Sequence, residues 1–176
     1  MHQIKVLDIP AGKFRDKGVP IDNLCNYDSA KEYIIQVLDV QTMIHSTLLF
    51  ATAKSMLKVM DGDLLNASKR TVQATKLSED ELVAVIVADW SEESEDKVVL
   101  QTKDGVFLKF PYAEIPKKKK SALGVRGMKL SKDDLITNVY VMDAQNISSI
   151  MYKEKELEFN RLKLSKRDTK GTKVRR

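Results

Sequence analysis

The feature that most constrains this chain is a phrase that returns at a fixed interval. Residues 98–143 read VVLQTKDGVFLKFPYAEIPKKKKSALGVRGMKLSKDDLITNVYVMD, and residues 48–89 read LLFATAKSMLKVMDGDLLNASKRTVQATKLSEDELVAVIVAD. Leu77-Ser78-Glu79-Asp80-Glu81-Leu82 matches Leu130-Ser131-Lys132-Asp133-Asp134-Leu135, 53 residues later. Leu24 lies 53 residues before Leu77, and Lys5 and Lys58 are also 53 apart, each inside a short apolar run. Gly18-Val19 precedes Gly124-Val125 by 106 residues, twice the interval. Self-similarity at such a period marks a propeller or solenoid assembled from copies of one supersecondary unit. The alternative is one irregular β-barrel with chance similarity between its parts.

Each full unit reads as strand, tight turn, strand, basic loop, strand, short turn, strand. Residues 98–102 are a β-rich apolar run, and Lys103-Asp104-Gly105 is a turn, because Gly tolerates the positive φ a hairpin needs. Over 106–110, Val106, Leu108 and Phe110 alternate with Phe107 and Lys109, the period of a strand. Residues 125–130 are strand-like again, with Gly127 suited to a bulge or close packing. Asp133-Asp134 then turns the chain into a β-branched run at 135–142. The expected fold is all-β, a partial ring of three to four units with bounds near 1–43, 44–94, 95–145 and 146–176. The first unit, lacking its opening strand, offers strands at 4–9, 19–24 and 33–40. The last offers 147–152 and 157–164, with Asn160-Arg161 standing where Lys109 stands in the third unit. Residues 90–96 form an acidic linker in which Trp90 serves as an inter-unit contact, and single turns of helix are expected at 63–67 and 112–115.

A chain of 176 residues is long enough to bury a core. No apolar run approaches the roughly 20 residues of a membrane span. The opening MHQIKVLDIP has no signal-peptide core. Cys25 is the only cysteine, which excludes a disulfide framework and fits a reducing cytoplasm.

Charge carries the functional reading. The net charge is +5, and the cations fall at the same place in each unit, the loop between its second and third strands. The first unit has Lys13, Arg15 and Lys17; the second has Lys69, Arg70 and Lys76. The third has Lys117, Lys118, Lys119, Lys120, Arg126 and Lys129; the last has Lys163, Lys166, Arg167, Lys170 and Lys173. Loops in phase with a repeat are expected on one edge of the assembly. Glu79, Asp80, Glu81, Glu92, Glu93, Glu95 and Asp96 lie in the other connections. Segregation of this kind favours a continuous polyanion, and duplex DNA presents one negative charge about every 1.7 Å of axis. Phosphate contacts of this sort position a duplex without reading its sequence. Any one lysine run alone reads equally well as a solvated loop.

Chemistry-bearing motifs are missing. There is no P-loop string, and His2, His45 and one cysteine make no zinc constellation. Asp133-Asp134 reads as a turn rather than a carboxylate pair. Ser46 follows His45 directly, an arrangement that on a strand points the two to opposite faces. Met43, Met56, Met60 and Met128 read as core fillers, and Cys25 as a buried strand-end residue.

The order of motifs resembles a known family. Thr102, Asp104, Gly105 and Lys109, then 124–130 (GVRGMKL), then 133–135 (DDL) are similar to the repeat in the C-terminal domain of the DNA-cleaving subunit of bacterial type IIA topoisomerases, the gyrase and topoisomerase IV family. The opening, with Ile4-Lys5-Val6, Ile9-Pro10, Lys17-Gly18-Val19-Pro20-Ile21 and Asn23-Leu24, resembles that family's first-repeat phrase, and residues 157–176 resemble its closing strand and basic tail. The resemblance covers nearly the whole chain. It implies a β-pinwheel whose blades exchange strands, and a module that binds and bends duplex DNA around a basic rim and presents a segment to the enzyme's cleavage core. DNA-contacting residues would be Lys13, Arg15, Lys17, Lys69, Arg70, Lys76, Lys117, Lys118, Lys119, Lys120, Arg126, Lys129, Lys166, Arg167 and Lys170. Its partners would be double-stranded DNA, the rest of the DNA-cleaving subunit and the separate ATPase subunit of the topoisomerase, in the nucleoid-bearing cytoplasm. No cofactor is expected in this chain; ATP and Mg²⁺ would be used elsewhere in the parent enzyme. None of Tyr27, Tyr33, Tyr112, Tyr140 and Tyr152 directly follows an arginine, as the family's cleaving tyrosine does. The gyrase branch's Q-R-R-G-G-x-G box is absent, which points to a topoisomerase IV-like protein or a fragment beginning after the box. The family's rings also hold more blades, so the expectation is a piece of a larger polypeptide. Two other classes stay open: a protein-interaction scaffold with solubilising lysine loops, and an RNA binder, for which the aromatic platforms of single-strand recognition are missing.

Overall fold

Two antiparallel hairpins carry the repeat. In the computed structural model, which describes residues 1–89, 91–142 and 149–175, β1 (Thr47–Thr52) pairs with β2 (Met56–Asp61), and β4 (Lys97–Thr102) pairs with β5 (Val106–Pro111). Thr52 and Thr102, 50 positions apart, close the turns alike: each hydroxyl accepts from the backbone N–H four residues on, at 3.0 Å from Met56 and 3.1 Å from Val106. Ser55 and Gly105 make the reversal at φ of 68° and 76°.

A third strand lies on the other side of each hairpin. β3 (Leu82–Val87) pairs with β1, and β7 (Ile136–Met142) with β4. Their entry turns are braced by aspartates 54 positions apart. Asp80 Oδ1 accepts from the N–H groups of Lys54 (2.9 Å) and Glu81 (2.8 Å), and Asp134 Oδ1 accepts from Asp104 (3.1 Å) and Leu135 (3.0 Å). The reading of Asp133-Asp134 as a turn thus has its physical basis in a buried, twice-bonded Asp134. Hairpins recur at 50 and third strands at 54 because loop lengths differ between units.

The fourth strand of each sheet comes from the next unit. β6 (Val125–Arg126) adds to the free edge of β2, and β10 (Thr172–Lys173) to that of β5, giving sheets ordered β3-β1-β2-β6 and β10-β5-β4-β7. The same crossing occurs upstream, where Val72 N–H donates to Met1 O (3.0 Å) and Gln3 N–H to Arg70 O (2.7 Å). β8 (Ser149–Tyr152) and β9 (Lys155–Glu158) form the last hairpin. The architecture is an all-β, strand-exchanged pinwheel.

Packing explains why the apolar runs are continuous rather than alternating. Leu49 and Ala51 of β1 join Leu57, Val59, Val98, Leu100, Leu108 and Phe110 in a core between the two large sheets. Leu48, Phe50 and Met60 face the other way, with Met43 and Leu65. Val99 and Phe107 face the last hairpin, with Met142, Leu157 and Phe159. Both faces of each hairpin are buried, so period two disappears from the sequence.

The first unit departs from expectation. Residues 4–9 and 19–24 are not strands; they carry 3-10 turns at Val6–Asp8 and Ile21–Asn23. Residues 33–39 form no strand and lead into α1 (Val40–Ile44), whose N-cap Asp39 accepts from Thr42 N–H at 2.8 Å. A β-branched run becomes a strand only where an edge is available, and here only the first three residues find one. Elsewhere, the run 125–130 leaves the ladder after Arg126: Gly127 N–H turns to Ser55 O, Met128 N–H to Ser55 Oγ and Lys129 N–H to Thr169 O. The strand expected over 157–164 ends at Glu158, because Phe159–Arg161 forms the 3-10 turn that also follows β2 (Gly62–Leu65) and β5 (Tyr112–Glu114). Asn160-Arg161 therefore sits in a turn rather than at the position of Lys109. His45 and Ser46 end α1, with His45 Nδ1 2.9 Å from Gln41 O, and Cys25 is half-buried in a 3-10 turn rather than at a strand end. Trp90 and the start of the run 147–152 lie outside the described residues.

Candidate nucleic-acid interface

The basic segments are the ones that cross from one unit to the edge of its predecessor. Residues 116–126 run along β2: Val59 N–H donates to Pro116 O (3.3 Å), Lys118 N–H donates to Val59 O (2.7 Å), and the chain then enters β6. Residues 164–174 run along β5 in the same way, with Ser165 N–H donating to Lys109 O (2.9 Å) and Val174 N–H to Gly105 O (3.0 Å). Residues 70–72 hold the first three residues of the chain in the third such crossing. Lys69 and Arg70, the run 117–120, and Lys166, Arg167 and Lys170 thus accompany equivalent edges of successive units. The opposite edges, β3 and β7, lie against each other within the fold.

Two glycines permit the crossings. Gly124 and Gly171 have φ of 96° and 69°, and a Cβ on either would lie 2.4 Å from Leu57 O or 2.8 Å from Phe107 O. Leu57 and Phe107 are themselves equivalent, 50 positions apart, so the same close approach is built twice.

Below the loops lie two buried lysines. Lys58 in β2 is 1% exposed, and its Nζ donates to Lys120 O and Ala122 O at 2.9 Å and to Lys119 O at 3.4 Å. Lys109 in β5 donates to Phe159 O (2.9 Å) and Asn160 O (3.4 Å). Burial lowers the pKa of both, with the charge of Lys97 a further cause at Lys109. Sequence reasoning noted both lysines but gave Lys58 no role. The available signal was a cation in the middle of a run, MLKVM, whose other members are apolar on both faces.

The expected contact residues divide into three groups. Lys69, Lys76, Lys118, Lys119, Lys129, Lys166 and Lys170 are exposed and Lys120 is half-buried. Of these, Lys76, Lys119 and Lys120 are brought together, lining with Leu64, Gln73 and Ser121 a groove of about 550 Å³. A second set is held by acids: Lys117 by Asp61 (2.7 Å), Arg70 by Asp8 (3.4 Å), and Arg126 by both oxygens of Asp168 (2.5 and 3.1 Å). Arg167 is half-buried and works as a tether, donating from its backbone N–H to Glu114 Oε2 (2.7 Å), from Nε to Glu114 O (3.1 Å) and from Nη1 to Arg126 O (2.6 Å). The hydrogen bonds of Arg126, and then the charges of Arg126, Lys129 and Arg167, hold the Asp168 carboxyl below its usual range. Third, Lys13, Arg15 and Lys17 are exposed on a local turn closed by Lys13 N–H to Asp16 Oδ2 (2.6 Å), away from the edge crossings. Acids line a separate cavity of about 340 Å³, where Asp61, Asp63 and Asp89 meet His45. Among the described residues no group of three or more His, Cys, Asp or Glu could hold a metal ion, and no helix is long and apolar enough to cross a membrane. The arrangement suits electrostatic holding of an extended anion.

Residues 46–89 and 96–141, the two full units, match the family described as the DNA gyrase C-terminal domain, beta-propeller. The chain is 32% identical over 138 residues to DNA gyrase A of Chlamydia pneumoniae, covering 76% of this chain and 16% of that protein. It is likewise 32% identical over 153 residues to DNA gyrase A of Chlamydia muridarum, covering 83% of this chain and 18% of that protein. The chain thus spans under a fifth of the length of these relatives. In fold it resembles the crystal structure of the C-terminal domain of DNA topoisomerase IV, with a TM-score of 0.80 and 22% identity over 96% of this chain and 53% of that one. The strand-exchanged units and the family match agree: this chain belongs to the family of DNA gyrase C-terminal β-propeller domains.

Proposed function

We propose that the chain is a duplex-binding and duplex-bending module of the DNA-cleaving subunit of a type IIA topoisomerase. The observation that carries this reading is the recurrence of lysine- and arginine-rich crossings at equivalent sheet edges, 69–72, 117–126 and 164–173. A duplex laid across successive edges meets cations at each, and bending it over 20–30 bp costs on the order of 1–6 kcal/mol, which several phosphate contacts offset. In the parent enzyme the module would hand a DNA segment to the cleavage core, with ATP and Mg²⁺ used by other parts, including a separate ATPase subunit, in the nucleoid-bearing cytoplasm. Titration of duplex affinity from about 50 to 200 mM salt tests the reading, since each phosphate contact contributes about 0.9 to the log–log slope. A steep linear fall is expected. A flat profile would leave a protein-docking scaffold as the better account.

A further inference from the structure

Lys58 sits between Leu57 and Val59 in the middle of β2, where its neighbours are apolar and its ammonium is shut off from water. The three carbonyls it meets, those of Lys119, Lys120 and Ala122, match the three N–H donors of an ammonium. The Phe50 ring lies 5.6 Å from Nζ and adds a favourable face to the cation. All three carbonyls belong to one turn of the basic crossing, contributed by the following unit. That turn forms a wall of the groove shared by Lys119, Lys120, Ser121 and, from the second unit, Lys76 and Gln73. A lysine run on a free loop has to order its backbone as well as its side chains when it meets an anion. Here the backbone is already tied. Exposed cations above and a buried cation below share one turn, and the buried one cannot itself reach a ligand.

We propose that Lys58 is a positioning residue for the cationic groove: its ammonium ties down the turn 119–122 and so sets Lys119 and Lys120 beside Lys76 as one seat for a backbone phosphate of a duplex. This rests on the DNA-binding reading for its ligand, though not for the tie itself. Leu108 occupies the equivalent place in β5, 50 positions on, so this seat is particular to the crossing that carries four consecutive lysines.

The test compares the full chain with Lys58→Met, with Lys119→Ala/Lys120→Ala, and with all three changes combined. Amide hydrogen exchange without DNA reads the tie, and duplex affinity against salt reads the seat. In folded K58M, exchange over 118–124 should quicken at least about tenfold while the β4–β5 hairpin is unchanged. Duplex affinity near 0.1 M salt should weaken about three- to tenfold, with a slope shallower by about 1. The combined variant should bind no more weakly than the Lys119/Lys120 double. If K58M does not fold, Lys58→Gln makes the same comparison, keeping two N–H donors without the charge. Unchanged exchange over 118–124 overturns the tie. Unchanged affinity and slope, or losses that add in the combined variant, overturn the seat. Absence of salt-dependent binding by the unaltered chain defeats the DNA reading and the seat with it, while the exchange comparison still decides the tie.

Discussion

Gly124 carries a constraint that no other residue type meets. Its φ of 96° is costly for a side chain, and a Cβ would press on the Leu57 carbonyl rather than on a movable side chain. Gly124→Ala should therefore destabilise the fold by about 2 kcal/mol or more, read as a lower urea midpoint with an unchanged slope. Asp168 offers a second residue-scale test. Its folded pKa lies below the ordinary 3.8, first because Arg126 donates to it. The sign follows: the pair contributes stability above the ordinary carboxylate range, and the contribution is lost as pH falls through the lowered folded value. An NMR titration of the Asp168 carboxyl should show its midpoint rise on Arg126→Ala. Neither partner could be paired from the sequence, because 42 residues separate them, and a lysine- and arginine-rich loop reads as free until the fold brings an acid to it. Arg126 and Arg167 were thus legible as cations and illegible as tethers.

At the scale of elements, hairpins and third strands were legible for one reason. They combine apolar runs of six or seven residues with turns whose geometry demands particular residues, Thr52 and Thr102 among them. β6 and β10, two residues each, have no periodicity to read. The first unit's runs were misread because propensity is local, while a strand needs a neighbour's unpaired edge. The crossing over 164–174 depends on Arg167, whose contacts with Glu114 and the Arg126 carbonyl join it to the third unit. Arg167→Ala should speed hydrogen exchange across 164–174 and leave β1, β2 and β3 as protected as before. Equal loss of protection in all strands would mean that the crossing and the sheets open together.

For the whole molecule, the repeat made the charge pattern readable: cations recur in phase, and the sheets place those phases at equivalent edges. Contacts to phosphate carry no sequence information. Lys118→Ala/Lys119→Ala/Lys120→Ala should accordingly weaken binding to unrelated duplexes by the same factor, measured side by side at one salt concentration. A loss confined to one sequence would argue for base contacts instead. The exchange of edge strands also has a bearing on biosynthesis. β2 is complete at Asp61, but the strand that covers its edge ends at Arg126, 65 residues later. At about 5–20 residues per second, a nascent chain would expose that uncovered edge for roughly 3–13 seconds. An open edge invites pairing with the wrong polypeptide. Translation of this short stretch is therefore a window in which a chaperone has something to protect, and in which a stalled ribosome would leave a molecule ready to stick to its neighbours.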